Sequence, residues 1–391
     1  MGGTEMRKTV SIGELGTIIT GKTPPTTNKN YYGDYAVFIK PTDISEQSKY
    51  TYETEEMYSK LAAEKYRSSL IPKGAICVPC IGTIGTKMTM SPCACYTNQS
   101  INSIVCNDNY DNEYVYYLIK NFLPGLKSYN LGTASGREYV SKSNFEKIEL
   151  VAEQDKEVQK RIGQILSRYD SLIENYQQKI KLLEEAVQRL YKEWFVDLRF
   201  PGYENTKIVN DVPEGWKKMP VDSIYSIKYG KNLSTKLITP EGKYPVYGAN
   251  GVIGYYHMAN CNEQVVLITS RGNGSGDVLM TYHKEAFITN NSFIVSPLDK
   301  YNYCQLPFTY QFLRNANFRA VRTGAAQPQL TNQSIHTVDV VLPSQELISA
   351  YCKKTIYNNE IIIYLKNQIR LLTEARDRLL PKLMSGEIKA K

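Results

Sequence analysis

The chain of 391 residues is poor in histidine, with three, and its eight cysteines are scattered rather than spaced as a disulfide framework. Reduced thiols in the cytoplasm are the expectation. No stretch approaches 18 apolar residues, and the first ten residues lack the apolar core of a signal peptide, so neither a membrane span nor export is indicated. The basic excess is small, 47 Lys and Arg against 39 Asp and Glu for a net +8, and no segment is a basic tail. Such a balance permits a polyanion partner without demanding one. Catalytic signatures are absent too: there is no N-P-P-[YFW] or D-P-P-Y for amino methylation, no G-x-S-x-G, no H-E-x-x-H and no nuclease carboxylate cluster. Together these absences favour a binding protein over a catalyst.

What the sequence does hold is one unit written twice. LLEEAVQRL (182–190) and LLTEARDRL (371–379) repeat a helical pattern at an offset of 189, each closing a long amphipathic run after a β-rich segment. At an offset of 190, Phe122-Leu123 falls on Phe312-Leu313, Thr133 on Thr323, Phe145 on Ile335, and Ile148-Glu149-Leu150 on Val338-Asp339-Val340. Near the amino end the offset is 209, placing Ile12, Leu15, Gly21 and Lys22 on Val221, Ile224, Gly230 and Lys231. The first copy therefore carries roughly 20 extra residues, assigned to a helical stretch around 55–67.

From residue 155, Val158, Ile162, Ile165, Tyr169, Leu172, Tyr176, Ile180, Leu183, Val187, Leu190 and Trp194 recur on average every 3.6 residues. That is one helical stripe sustained for roughly 40 residues, or about 60 Å. Phe200-Pro201-Gly202 stops it. A second stripe follows Pro343, with Ile348, Tyr351, Ile362, Leu365, Ile369, Leu372, Leu379 and Leu383, and Pro381 predicts a kink or a stop. So narrow a stripe must be covered by another helix, and each rod is the obvious cover for the other. With 42% hydrophobic residues the chain can fill the cores of two or three domains. The expected order is a β-rich domain over 1–152, a spacer helix over 153–199, a second domain over 200–343 and a second spacer helix over 344–391. This is an α+β architecture with an internal pseudo-two-fold repeat, in which two long antiparallel coiled-coil helices separate the domains. The bland alternative folds each helix back onto its own domain.

Within the domains, strand character falls on 36–39, 75–79, 87–90 and 101–106, and in the second copy on 264–269, 277–281 and 286–295. Helices are expected near 113–123 and 303–315. The 31 tyrosines suit either hydrogen-bonding recognition or ordinary sheet core. Gly16-Thr-Ile-Ile-Thr-Gly21-Lys22-Thr23 spells the P-loop pattern, but Pro24-Pro25 forbids the helix that a P-loop needs at its lysine. Its interior reads as strand, and the second copy has Tyr225 in place of Gly16, so a turn is expected. Cys77, Cys80, Cys93 and Cys95 have a spacing that zinc could use, yet the matching strand at 267–271 has no cysteine. Small buried thiols are the expectation, and metal analysis of the purified protein settles it. His257, His283 and His336 stand apart from any carboxylate or cysteine pair, and Gly272-Asn-Gly-Ser-Gly276 is a loop with no helix pattern behind it.

LYKEWFVDLRFPGYE (190–204) with VPEGW (212–216), and EARDRLLPKLMSGEI (374–388), resemble the specificity (S) subunits of type I restriction-modification systems. Softer likenesses are SIGELGTIITGKTPPT (11–26), PCIGTIGTK (79–87) with YTNQSI (96–101), YPVYGANGVIGYY (244–256) and VLPSQE (341–346), so the resemblance covers nearly the whole chain. It departs at Leu150-Val151-Ala152, where a Pro-rich entry to the helix is expected. The resemblance implies a non-catalytic reader of double-stranded DNA, with two target-recognition domains that each read one half of an asymmetric bipartite target. It further implies that the two helices dock two methyltransferase subunits, that motor-nuclease restriction subunits join them, and that S-adenosylmethionine, ATP and Mg belong to those partners, with no cofactor in this chain. Half-sites about one turn apart need readers separated by roughly 34 Å or more.

Loops carrying Arg, Lys, Asn and Gln can reach base edges, while nearby Lys and Thr serve phosphates. The candidates are Lys22, Lys40, Thr83, Lys87, Asn98, Gln99, Ser135 and Arg137 in the first domain, and Lys231, Asn250, Arg271, Asn273, Arg319, Arg322, Gln327 and Gln329 in the second. Each is otherwise a solvated loop residue, and for Asn98 and Gln99 a structural turn role stands beside the functional one, because Asn290-Asn291 recurs at the matching place. The helix seam is expected at Ile162, Ile165, Tyr169, Leu172, Tyr176, Leu183, Leu190, Ile362, Leu365, Ile369, Leu372 and Leu379. The same residues fit the specificity subunit of a methylation-only system. Two rivals differ in kind: a self-sufficient DNA methyltransferase or nuclease, which methyl transfer by the chain alone would reveal, and a structural coiled-coil protein, which specific footprinting eliminates.

Overall fold

The computed structural model describes residues 7–130, 132, 138–209, 211–324 and 327–390. Its main helices are α1 (Asn112–Phe122), α2 (Lys156–Tyr191), α3 (Leu306–Asn315) and α4 (Gln345–Ser385). The chain divides into two compact units, one made of the residues up to Asn175 with those from Ile369 onward, the other of Tyr176–Gln368. Each long helix thus gives one part to each unit.

In the first unit the strands are β1 (Arg7–Ser11), β2 (Gly16–Thr20), β3 (Ala36–Ile39), β4 (Ile76–Pro79), β5 (Thr89–Met90), β6 (Tyr96–Thr97), β7 (Ile101–Cys106) and β8 (Glu149–Glu153). β1 pairs antiparallel with β8, a four-stranded antiparallel sheet runs β2-β7-β4-β5, and β3 pairs parallel with β6. β4 is apolar on both faces because both are covered. Ile76 and Val78 join the core beneath α1, while Cys77 joins Ile39, Ile71, Cys95 and Ile101 on the opposite side. α1 starts where the Asp111 carboxylate accepts from the Tyr114 amide at 3.0 Å.

The second unit repeats this plan with β9 (Lys217–Pro220), β10 (Tyr225–Tyr229), β11 (Tyr244–Gly248), β12 (Gly251–Tyr256), β13 (Val266–Thr269), β14 (Val278–Met280), β15 (Phe287–Ile288), β16 (Ser292–Pro297) and β17 (Asp339–Leu342). β9 pairs with β17, the sheet runs β10-β16-β13-β14, and β11 pairs parallel with β15. Even side-chain detail recurs: Val265 donates to Thr281 Oγ1 at 2.9 Å and Thr281 returns a bond to the Val265 carbonyl, as Ala75 and Ser91 do in the first unit. One expected strand, 286–295, is two. Residues 289–291 leave the ladder, with the Asn290 amide donating to the Lys231 carbonyl and the Ser270 amide to that of Asn291. The extra segment of the first unit holds a shorter helix than expected, Lys60–Lys65, preceded by the strand Met57–Tyr58.

The long helices run antiparallel within each unit. In the first, Asp170 of α2 pairs with Arg376 of α4, and Ile162 and Leu166 share a core with Leu380 and Leu383. In the second, Tyr351 donates to the Val187 carbonyl at 3.1 Å and packs on Phe195, while Lys366 meets Glu184 at 2.9 Å. The buried face of α2, which meets α1 as well as α4, differs in phase from the 3.6-residue stripe. Gln159, Gly163, Leu166, Asp170 and Ile173 are buried, followed in the second unit by Ile180, Val187, Tyr191 and Trp194. Their spacing is the heptad's alternation of four and three. Ile162 lies in the seam, but Ile165 and Tyr169 are only half-buried and Leu172 is 38% exposed, with Tyr176, Leu183 and Leu190 half-buried in the second unit. On α4, Ile362 and Leu365 are buried, Ile369, Leu372 and Leu379 half-buried, and Thr355, Asn359 and Arg376 occupy the seam. Counting apolar residues alone skips those polar positions, which displaces the stripe by one residue through the middle of α2. Pro381 does not stop α4, which continues to Ser385.

Candidate nucleic-acid interface

In each unit four loops meet at one rim, and the same backbone bonds join them. The first loop is the Gly-Lys end of β2 or β10. A side chain at Gly21 would place its Cβ 2.1 Å from the Thr97 carbonyl, and one at Gly230 would lie 2.3 Å from that of Thr289. Glycine is therefore required by close backbone approach, which lets the Lys22 amide reach Thr97 O and the Lys231 amide reach Ile288 O, both at 2.9 Å. The P-loop spelling is a strand paired with β7, followed by this crossing.

Next comes the turn at 98–100 or 289–291, tied to the third loop by Cys80 N to Ser100 O at 2.7 Å, and by Ser270 N to Asn291 O at 2.8 Å. The third loop is glycine-rich, around residues 82–85 or 272–276, and turns through positive φ at Gly82, Gly85, Gly272 and Gly276. It pairs with the fourth. Gly82 N bonds Glu138 O and Val140 N bonds Cys80 O; Gly272 N bonds Pro328 O and Leu330 N bonds Ser270 O.

The side chains on this shared frame are different. In the second unit Arg271 and Gln329 are bridge partners, and Gln329 also exchanges 2.9 Å backbone bonds with Thr323, so both exposed side chains leave a rigid base. Asn250 reaches the glycine loop, its Oδ1 lying 3.1 Å from where a Cβ on Gly274 would sit. Arg322 donates to the Arg319 carbonyl at 3.0 Å and to that of Asn273 at 3.4 Å, which braces the loop. Arg319 is committed elsewhere: its guanidinium grips Asp277 with bonds of 2.9 and 2.5 Å, so its charge is already answered. Gln327 is exposed on the same hairpin, and Lys231 stands at the neighbouring loop. Of these four cations, Arg319 is the one bonded to a carboxylate among the described residues.

In the first unit Lys22 is exposed, and Thr23 Oγ1 donates to the Gln99 carboxamide oxygen, holding Gln99 beside it. Asn98 folds inward, accepting from Ser100 N at 3.1 Å, which is the turn role. Thr83 is exposed on the glycine loop and Lys87 half-buried at its end. Ser135 and Arg137 lie outside the described residues. Lys40 sits beside the rim, where the Asn98 amide meets the Ile39 carbonyl, but Glu55 at 2.8 Å and Glu56 at 2.9 Å take its ammonium. Burial alone would lower its proton affinity; the two carboxylates outweigh that and raise it. Lys40 is thereby a tether for the extra segment. Sequence reasoning passed over Lys127, whose stem lies 2.9 Å from a Cβ built on Gly85, because it sits in a 3-10 segment, Leu123–Tyr129, that follows α1, and nothing in the sequence sets that segment against the glycine loop. It also passed over Asp277, which only the fold sets against Arg319. Cys77 and Cys80 are buried in and just after β4, and burial pushes both thiols up to about 12, away from the thiolate a metal takes.

Two copies of one scaffold, each with a rim of basic and amide side chains on rigid loops, define a duplicated recognition protein. A family model described as the type I restriction modification DNA specificity domain matches residues 5–185 and 213–371, so the chain belongs to that family. It is a specificity subunit of a type I restriction-modification system, non-catalytic, with DNA-target recognition implied by the family. The chain is 25% identical over 409 residues to the type I restriction enzyme MjaIX specificity subunit of Methanocaldococcus jannaschii, covering 97% of this chain and 92% of that one. It is 38% identical over 145 residues to the HindI specificity subunit of Haemophilus influenzae, covering 36% and 30%. The crystal structure of a type I restriction-modification S subunit from M. genitalium shares the fold, with a TM-score of 0.60 at 19% identity over 96% of both chains. No helix among the described residues is long and apolar enough to cross a membrane.

Proposed function

We propose that each rim reads one half of an asymmetric, bipartite double-stranded DNA target. The exposed polar and apolar side chains of α2 and α4 dock two methyltransferase subunits, with restriction motor-nuclease subunits joining the complex in the cytoplasm. S-adenosylmethionine, ATP and Mg belong to those partners. The observation that carries this reading is the contrast between identical backbone bonding at the two rims and different side chains upon it. A frame held constant while its display diverges suits two different DNA words presented to one kind of partner. In the second unit Arg271, Asn273 and Gln329 have the donors that read guanine and adenine edges, and Lys231 and Arg322 suit phosphates.

The test is a methylome of cells expressing this chain with its methyltransferase. A single motif with two unlike halves and a fixed gap is expected. Replacing Arg271 and Gln329 by Ala should relax one half and leave the other intact, whereas loss of both halves together, or a continuous motif, would overturn the reading.

A further inference from the structure

The two four-stranded sheets end on equivalent edge strands, β5 and β14, but those edges are treated differently. In the first unit the edge is covered by the chain itself. Residue Tyr50 bridges Met90 in parallel, the Met90 amide donates to the Lys49 carbonyl at 2.8 Å, and Thr89 Oγ1 donates to the same carbonyl at 3.0 Å. Lys49 is only 4% exposed, with its ammonium on Glu113 of α1 and 5.2 Å from the rings of Tyr116 and Tyr117. This covering strand belongs to the segment that the second unit lacks.

At β14 the ladder bonds run from Thr281 N to Val265 O and from Thr269 N to Asp277 O, so alternation turns the amides of Val278 and Met280 away from β13. No described backbone carbonyl accepts from them. Met280 matches Met90 at the offset of 190, and beside this edge lies a cleft of about 650 Å³ between residues 276–279 and the end of α3. Arg314 and Arg319 line it against one carboxylate, Asp277. Where Glu113 bonds Lys49 and Tyr50 of the covering strand in the first unit, the second has Tyr303, and Leu279 replaces Thr89.

We infer that the outer edge of β14 is a strand-accepting groove for an extended acidic segment of a partner protein, which adds in parallel as residues 49–51 add to β5. The chain's own strand is the template for the occupant. In its register Glu46 would lie beside Gly276, at the arginine end of the cleft, and Thr51 would give way to an apolar residue opposite Leu279. An open edge beside a net positive cleft favours backbone pairing to an acidic strand over DNA, whose phosphates cannot continue a ladder. The inference goes beyond DNA reading, and failure of the half-site assignment leaves it standing.

The probe is an end-capped synthetic peptide, SEQSKYTY, copying residues 45–52 and carrying Lys49→Ala and Thr51→Val so that Glu46 leaves it net acidic, titrated into the full chain with amide exchange followed by NMR or mass spectrometry. Saturable binding is expected, with exchange at Val278 and Met280 slowed about tenfold or more. A Glu46→Lys peptide should bind at least about tenfold more weakly to the native chain and recover on an Arg314→Glu chain, a charge-swap rescue that misfolding cannot imitate. Absence of saturable binding, or binding that leaves the two amides unprotected, overturns the proposal. So does an Arg314→Glu chain that loses affinity for its DNA target while peptide binding is unchanged, since the cleft would then be a phosphate site.

Discussion

Replacing Arg376 by Met removes one partner of the ion pair at the helix seam and leaves Asp170 behind. The Arg376 and Asp170 side chains are 7% and 4% exposed, so water cannot stand in for the lost partner. Burial works against the Arg376 charge, and the Asp170 charge and hydrogen bond outweigh it, raising the proton affinity of the guanidinium. The other Asp170 oxygen accepts from the Tyr117 hydroxyl of α1, so the pair ties both helices to the first core. Breaking a pair this deeply buried costs about 3–5 kcal/mol, most of it the uncompensated charge rather than the bond itself. The second unit supplies a built-in control: its matched seam positions hold Asn359 and Val187, 9% and 7% exposed, with no charge at all. An Asp170→Asn, Arg376→Met double variant copies that neutral solution and keeps an acceptor for Tyr117. It should recover stability to within about 1–2 kcal/mol of the native chain. Both tryptophans, Trp194 and Trp216, lie in the second unit, so their fluorescence in urea monitors that unit, while amide exchange at Tyr116 and Tyr117 monitors the first. A single-variant cost below about 1 kcal/mol at those amides, or a double variant no better than the single, would refute the reasoning.

Arg271→Ala should weaken target binding by about 1–3 kcal/mol and relax one position of one half-site, measured by competition with base-substituted duplexes. Lys231→Ala should act alike on all sequences and lower the salt slope of log K by about 1, read from titrations across a salt series. Lys40→Ala should leave DNA affinity unchanged while speeding proteolysis of the segment around Glu55 and Glu56, because its charge is spent within the fold; a drop in affinity would return Lys40 to the interface. A thiol reagent at pH 8 should label exposed Cys93 well before Cys77 and Cys80, whose thiols burial raises to about 12, and urea should abolish the difference.

The repeat, the element order and the placement of α1 and α3 were readable because they rest on local periodicity and on comparison of the chain with itself. Lys22 and Arg271 could be singled out because glycine marks the loops they follow or open. Lys40 and Arg319 were indistinguishable from them in sequence. Nothing near either residue announces Glu55, Glu56 or Asp277 as a partner, since the pairing is made across loops. Asn98 and Gln99, adjacent in the chain, part company in the same way, one bonding its own turn and the other held against Thr23.

By itself the sequence determined that one scaffold is written twice, with long helices after each copy, because hydrophobic spacing acts over a few residues and is copied with the chain. Tertiary structure alone decided the phase of the helix seam, which charges at the rims are already answered, and which sheet edge is left uncovered. Those follow from contacts between distant segments, where a buried Asp170 counts as seam only once Arg376 is beside it.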